Sequence, residues 1–296
     1  MNKSEQRLAG IGYGLLAALI WGGFPVVTRL GVAHSPLDPY DIAFIRFLVA
    51  GALLAPLLLR RGLGGVSAGA AALMIAGVGA PYILAVATAL THAPASYFAL
   101  TPGSMIAFTA VLGRFLVNET LRGAQKAGIL TVLVGMALAA YTALSGNGGW
   151  LAIVLFVVGG FLWAIYNITA KRCAVGALQA TTIVSVGSAL LYLPCYVAFR
   201  GLAIVHAPLG AIAIQAFYQG VMVSILGLYF FSKAVTILGP ALGATFGALV
   251  PLLATVEAAL LLGEKPGLFA LAGIFIVTVG MITSLINPRR AVASPR

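Results

Sequence analysis

Trp163, Tyr166, Asn167 and Ala170 fall at i, i+3, i+4 and i+7, a spacing that puts four side chains on one face of a helix. Trp21, Pro25 and Thr28 share a face in the same way, and Tyr97, Thr101, Ser104 and Phe108 do so again. Tyr82, Tyr218, Met222, Tyr229 and Phe246 add further rings and a thioether within apolar surroundings. Nothing here is a nucleophile with its base. Rings with scattered hydroxyls and one amide can grip a small amphipathic organic solute by stacking and a few hydrogen bonds. The expected binding set is Trp21, Pro25, Tyr82, Tyr97, Thr101, Trp163, Tyr166, Asn167, Tyr229 and Phe246. The competing reading is an interfacial belt of Trp and Tyr, which suits Tyr13, Trp150 and Tyr192 and stays open for Trp21 and Trp163.

Charge is scarce where these rings lie. Arg46 stands one to two turns into its apolar run, and Glu257 stands inside another. Ionisable residues in hydrocarbon are expensive and mark function by default. Glu257 is a coupling candidate: a proton site, a partner for a substrate ammonium group, or a carboxylate reaching the outer interface. Glu119 and Glu264 each precede the next apolar run, where a carboxylate favours the positive end of the following helix. The three histidines, His34, His92 and His206, are scattered through connections and predict no metal site. Without a phosphate-binding loop, ATP coupling has no support. The expectation is no enzyme, no cofactor and no metal.

The elements that carry these residues follow from composition. The chain of 296 residues is 61% hydrophobic and 8% charged, with a mean hydropathy of +1.09, against roughly 25% charged in a soluble domain. Ten continuous apolar runs occur, at about 8–30, 39–59, 67–91, 94–116, 122–144, 149–171, 178–199, 209–233, 238–262 and 266–286. Each is long enough to cross ~30 Å of hydrocarbon as a helix. The runs do not alternate, which argues against a barrel. The first follows Lys3 and Arg7, is too long for a signal peptide, and is read as retained. With the N terminus inside, thirteen Lys and Arg fall on inner connections and four on outer ones. That asymmetry puts both termini in the cytoplasm and explains the net charge of +11 without nucleic acid. Cys173 and Cys195 belong to opposite ends of their runs, too far apart for a disulfide.

The chain also repeats itself. Residues 128–136 read GILTVLVGM and residues 273–281 read GIFIVTVGM. Glu119 and Glu264, Pro94-Ala95 and Pro240-Ala241, Trp21 and Trp163, and Arg29 and Lys171 recur in the same order at offsets of 142 to 146 residues. The chain thus divides into residues 1–146 and 147–296, five spans each. Five is odd, so the second copy enters the membrane from the opposite face, as in inverted-repeat carriers. The expected fold is an all-α integral membrane protein, ten transmembrane helices as two inverted five-helix repeats around a central cavity. Pro25, Pro56, Pro81, Pro102, Pro194 and Pro251 lie inside spans and should bend them. Pro102 and Pro251, in the fourth and ninth spans, are the gating candidates, against the alternative that they only shape the helices. Ala95, Ala99 and Gly103 in the fourth span, and Gly239, Gly243 and Gly247 in the ninth, form small-residue ridges expected to meet at the pseudo-axis.

LLAALIWGGFPVVTRLGV (15–32), YDIAFIRFLVAGALLAPLLL (40–59), FLVNE (115–119) and LLLGE (260–264), in that order and with the duplication, resemble the drug/metabolite transporter superfamily. The likeness covers essentially the whole chain and is greatest to ten-helix EamA-type members, among them YddG-type amino-acid exporters. It implies a basket of spans 1–4 and 6–9 around the substrate, with spans 5 and 10 outside as buttresses. The function so implied is export of small metabolites, amino acids including aromatic ones, by alternating access across a bacterial inner membrane. The partners are that solute and the lipid bilayer, with monomer and homodimer both open. The alternatives are a proton-coupled exporter of cationic drugs, which needs Glu257 in the cavity, and a non-transporting scaffold or scramblase. A carrier of phosphorylated solutes would want several cations in the spans, which offer little beyond Arg46.

Overall fold

The computed structural model describes residues 3–144 and 149–285; the expected boundary between the halves, 146/147, lies outside the described residues. Ten helices are long and apolar enough to span a membrane: α1 (Ser4–His34), α2 (Pro39–Arg61), α3 (Ala68–His92), α4 (Ala95–Leu116), α5 (Gly123–Ala143), α6 (Gly149–Arg172), α7 (Ala177–Arg200), α8 (Leu209–Leu238), α9 (Leu242–Leu262) and α10 (Leu268–Leu285). No strand occurs among the described residues. Successive spans alternate in direction, so α1–α5 start from the end bearing the N terminus and α6–α10 start from the opposite end. Cys173 and Cys195 are both free thiols.

The repeated nonapeptides lie in α5 and α10, and they pack on each other. A methyl group placed on Gly128 would sit 2.7 Å from the carbonyl oxygen of Gly280, and one on Gly280 would sit 2.8 Å from that of Gly128. Gly135 and Gly273 are related in the same way, at 2.7 and 2.8 Å. Seven residues are close to two helical turns, so both glycines of each copy face the partner. The contact is reciprocal and antiparallel, the pattern of a two-fold axis. Lipid tails give no hydrophobic drive for helices to associate, so backbones held together at glycine supply the attraction. The remaining surface of the pair, including Leu130, Val134, Phe275 and Val279, is exposed, as expected of helices outside the basket.

A second link joins the halves at each end. Arg29 in α1 pairs with Glu264, just beyond α9, at 2.7 Å. The Arg29 guanidinium also donates to the carbonyls of Leu90 and Ala93, both at 2.6 Å, at the end of α3. Glu264 accepts from the backbone N–H of Ala95 at 2.9 Å and of Ser96 at 3.4 Å. One pair thus satisfies carbonyls that end α3 and amides that begin α4. The sequence expectation for Glu264 was the start of the following helix. The dipole argument holds, but the helix it serves is α4, distant in sequence and brought close by tertiary packing. Its repeat counterpart, Glu119, pairs with Lys171 at the other end.

Several spans are interrupted. α3 breaks at Gly79, α4 opens as a 3₁₀ turn over Ala95–Ala99, α8 carries a π segment over Ala216–Leu226, and α9 changes segment at Leu249. Pro81, Pro102 and Pro251 each fall in the first residues after such a break, where a missing N–H is tolerated. Pro25, Pro56 and Pro194 lie within continuous helices. The expected meeting of small-residue ridges does not occur. Gly103 faces Val132 and Met136 of α5, and Gly243 faces Val235 of α8. What α4 packs against α9 is its 3₁₀ turn, because the glycine faces are taken up by neighbouring helices.

Two outcomes follow for thermal melting in detergent or nanodiscs. Gly135→Ala should destabilise by about 1–3 kcal/mol through overpacking against backbone, while Gly123→Ala, with open space at its Cβ, should be neutral. Glu264→Ala should cost about 3 kcal/mol, as for a buried pair losing one partner. Glu119→Ala should cost under about 1 kcal/mol, because Glu119 and Lys171 are 40% and 55% exposed.

Candidate functional site

Five rings form a chain across the middle of the bundle. Phe156 in α6 meets Phe98 in α4 at 6.3 Å between centroids, and Phe98 meets Phe24 in α1 at 5.5 Å, both edge-on. Phe24 stacks on Tyr82 of α3 at 6.5 Å, and Tyr82 meets Trp163 of α6 edge-on at 5.6 Å. The chain starts and ends on α6, so it closes around the helices it links. These separations are those at which aromatic pairs attract beyond simple burial. Phe24, Tyr82, Phe98 and Phe156 are buried, and Trp163 is half-buried.

Beside this wall runs a ladder of side-chain amides. The Thr28 hydroxyl donates to the carbonyl of Phe24 at 2.7 Å, so its lone pairs are free to accept from Gln219 Nε2 at 2.8 Å. Gln215 Nε2 donates to the carbonyl of Val27 at 2.6 Å, which turns its oxygen toward Gln219 Nε2, 3.4 Å away. Both contacts fix the amide orientation of Gln219, with its oxygen presented to Arg46 Nη1 at 2.9 Å. Gln215 and Gln219 are 1% and 0% exposed. The Arg46 guanidinium carbon also lies 5.4 Å from the Phe24 ring centroid, a cation–π contact.

Glu257 sits on the other side of α1. Its Oε1 is buried with no hydrogen-bond partner among the described residues. Gly22 and Gly23 make the room: a methyl on Gly22 would lie 3.0 Å from Oε1, and one on Gly23 would lie 2.7 Å from Oε2 and collide with the Tyr218 hydroxyl. That hydroxyl donates to the carbonyl of Ile20 at 3.1 Å. The reading that carried Glu257 to the outer interface is therefore corrected. α1 and α9 run parallel, Arg29 meets Glu264, and seven residues earlier on each helix Gly22 meets Glu257. The carboxylate is thus carried into the bundle. Counting back 145 residues, the other half has Leu112, so this carboxylate has no counterpart.

The remaining residues of the expected binding set are dispersed. Trp21 donates through Nε1 to the carbonyl of Val223 at 3.3 Å and leans on Phe231 at 5.1 Å, both in α8. No contact joins it to Trp163. Pro25 is buried in α1. The Tyr97 hydroxyl donates to Thr142 Oγ1 at 3.0 Å, because the Thr142 proton goes to the carbonyl of Ala139. Thr101 is 0% exposed and donates to the carbonyl of Phe156 at 3.1 Å. Both hydroxyls are committed to helix packing. Tyr166 packs against Gly77, and Asn167 Nδ2 lies 3.0 Å from the sulfur of Met105. Phe246 packs against Gly14. Tyr229 is 49% exposed, with the Lys233 ammonium 5.7 Å from its ring centroid.

Open volume lies elsewhere. A cavity of about 630 Å³ at the N-terminal end is lined by Arg61, Gly64, Cys173, Gln179 and Ser232, among others, and touches none of the five rings. The amide ladder escaped the sequence reading altogether. The signal was present: Gln215 and Gln219, one turn apart in an otherwise apolar run, are polar groups that hydrocarbon does not tolerate unpaired.

The EamA-like transporter family model matches the chain twice, over residues 8–141 and 150–286. An uncharacterized transporter of Archaeoglobus fulgidus is 26% identical over 277 residues, covering 90% of this chain and 93% of that protein. A probable amino-acid metabolite efflux pump of Salmonella typhimurium is 28% identical over 316 residues, covering 98% of this chain and 97% of its own length. A solved crystal structure, 20% identical, superposes with a TM-score of 0.62 over 95% of this chain and 96% of the other, a likeness of fold.

Proposed function

Because the chain belongs to the EamA-like transporter family, we propose that this multi-pass membrane transporter exports small metabolites, amino acids including aromatic ones, by alternating access. The observation that carries the substrate class is the run of rings from Phe156 to the half-buried Trp163, an aromatic framework of the kind that stacks a planar side chain. The name of the Salmonella relative points the same way. In this reading the membrane is the bacterial inner one, and the excess of Lys and Arg at the N-terminal end puts both termini in the cytoplasm. The halves are residues 1–146 and 147–296. Trp163 and Tyr82 touch the solute first, and Trp21, Pro25, Tyr97, Thr101, Tyr166, Asn167, Tyr229 and Phe246 complete or support the path.

The geometry supports alternation in two ways. α5 and α10 supply an axis, and the two ion pairs stand at opposite ends of the bundle. They are repeat equivalents, yet Arg29 and Glu264 are 18% and 9% exposed, against 55% and 40% for Lys171 and Glu119. The tight pair closes the end away from the termini. The loose pair belongs to the end where the 630 Å³ cavity opens. In this reading the end bearing the termini is the more readily opened one. Pro102 and Pro251 follow breaks in α4 and α9, places where a helix can bend without losing a backbone hydrogen bond, and they remain the gating candidates.

A second reading, proton-coupled export of cationic solutes, is favoured by Glu257, whose buried oxygen has no hydrogen-bond partner among the described residues. Reconstitution into liposomes with labelled amino acids tests the first reading. Saturable counterflow of phenylalanine or tryptophan is expected, falling at least about tenfold in Trp163→Ala, since loss of one ring contact of ~1.5 kcal/mol is a tenfold effect. Flux no greater than in empty liposomes for every amino acid would overturn it. Glu257→Gln, assayed at two pH values beside the parent, tests coupling. The coupling role predicts that the substitution abolishes the pH dependence of flux, and an unchanged dependence removes it.

A further inference from the structure

Among the described residues, the cation at Arg46 has no carboxylate partner. Among the described residues the ion pairs are Arg29–Glu264, Lys171–Glu119 and Arg200–Asp38. Arg46 has one hydrogen-bond partner, the neutral amide oxygen of Gln219. A guanidinium presents five N–H donors in a planar fork, so most of its donors have no protein acceptor. Arg46 is half-buried, and its neighbours Phe24, Tyr82 and Gln219 are 5%, 6% and 0% exposed. A half-buried cation within a membrane span and without a counter-charge is costly, and the amide ladder that aims Gln219 at it uses two further side chains, Thr28 and Gln215. The site is built to hold a positive charge in wait.

Resting on the export reading, we propose that Arg46, oriented by Gln219, is the subsite for the carboxylate of the transported solute, with its side chain against the Phe24–Tyr82–Trp163 wall. A carboxylate is planar, carries one negative charge and accepts two parallel hydrogen bonds from a guanidinium fork. A phosphate monoester brings nearly two charges, whereas Arg29, in α1, is taken by Glu264. Phe24 serves both parts, its ring stacked on Tyr82 and in cation–π contact with Arg46. The ladder residues lie in α1 and α8, so a solute bound here bridges the two halves. The π segment of α8 places Tyr218 against Gly23 and Gln219 against Thr28.

The test compares binding of four probes to the purified full chain: phenylalanine, 3-phenylpropionate, phenylalaninamide and phenethylamine. The first two carry a carboxylate and the last two do not. The parent should bind the carboxylates at least about tenfold more tightly, the worth of a charged hydrogen bond. Arg46→Gln should bring all four within threefold, and Arg46→Lys should keep an intermediate preference, as a point charge without the fork. Gln219→Glu should also abolish the preference, because its carboxylate occupies the guanidinium. It keeps the side chain's shape and carries the test if Arg46→Gln does not fold. A parent with no carboxylate preference, or an Arg46→Gln or Gln219→Glu variant that folds and retains it in full, overturns the subsite. If both carboxylates bind through Arg46 but phenylalanine shows no counterflow, the subsite stands and amino-acid export falls.

Discussion

Two helix backbones pressed together at glycine set the frame for everything else in this protein. Gly128 and Gly135 of α5 take positions against Gly280 and Gly273 of α10 where no side chain fits. Because each nonapeptide packs on its own copy, the contact relates the two halves to each other. The remaining eight spans can then be arranged as two similar sets, with the polar and aromatic residues directed between them. A seam of this kind holds by close packing and does not draw on the side chains needed for binding.

Within that frame, the polar groups sort by how completely they are satisfied. In hydrocarbon an unpaired group has no water to turn to. Arg29 and Glu264 answer this by completing two helix ends at once, and Thr28, Gln215 and Gln219 by pairing in series. Thr101 and Tyr97, which the sequence offers as binding hydroxyls, are spent on neighbouring helices. Arg46 and Glu257 stand out because this logic does not close around them. One is a cation facing a neutral amide, and the other a carboxylate facing two glycines and a tyrosine that donates elsewhere.

The spans and the duplication were legible in the sequence because they depend on local composition and on order, both of which a chain displays openly. The ten runs agree with the observed helices to within a few residues at most boundaries. What could not be read was pairing across the fold. Glu264 has a clear electrostatic purpose, but its helix, α4, starts 169 residues before it. The rings of Phe24, Phe98 and Phe156 look like ordinary apolar residues in the sequence, since nothing in their local spacing says that they link Tyr82 and Trp163 into one run. Gln219 meets Arg46 across 173 residues of sequence, a pairing that local spacing does not display.

The inequality of the two end pairs has a consequence in the surrounding solution. Salt screens charges that water can reach and largely spares those it cannot, over a distance of ~8 Å at physiological strength. Lys171 and Glu119 are open to the aqueous phase, while Arg29 and Glu264 are folded into helix ends. Ionic strength therefore acts on one of these repeat-equivalent pairs and leaves the other nearly untouched, so two links that are alike in sequence answer differently to the same ions.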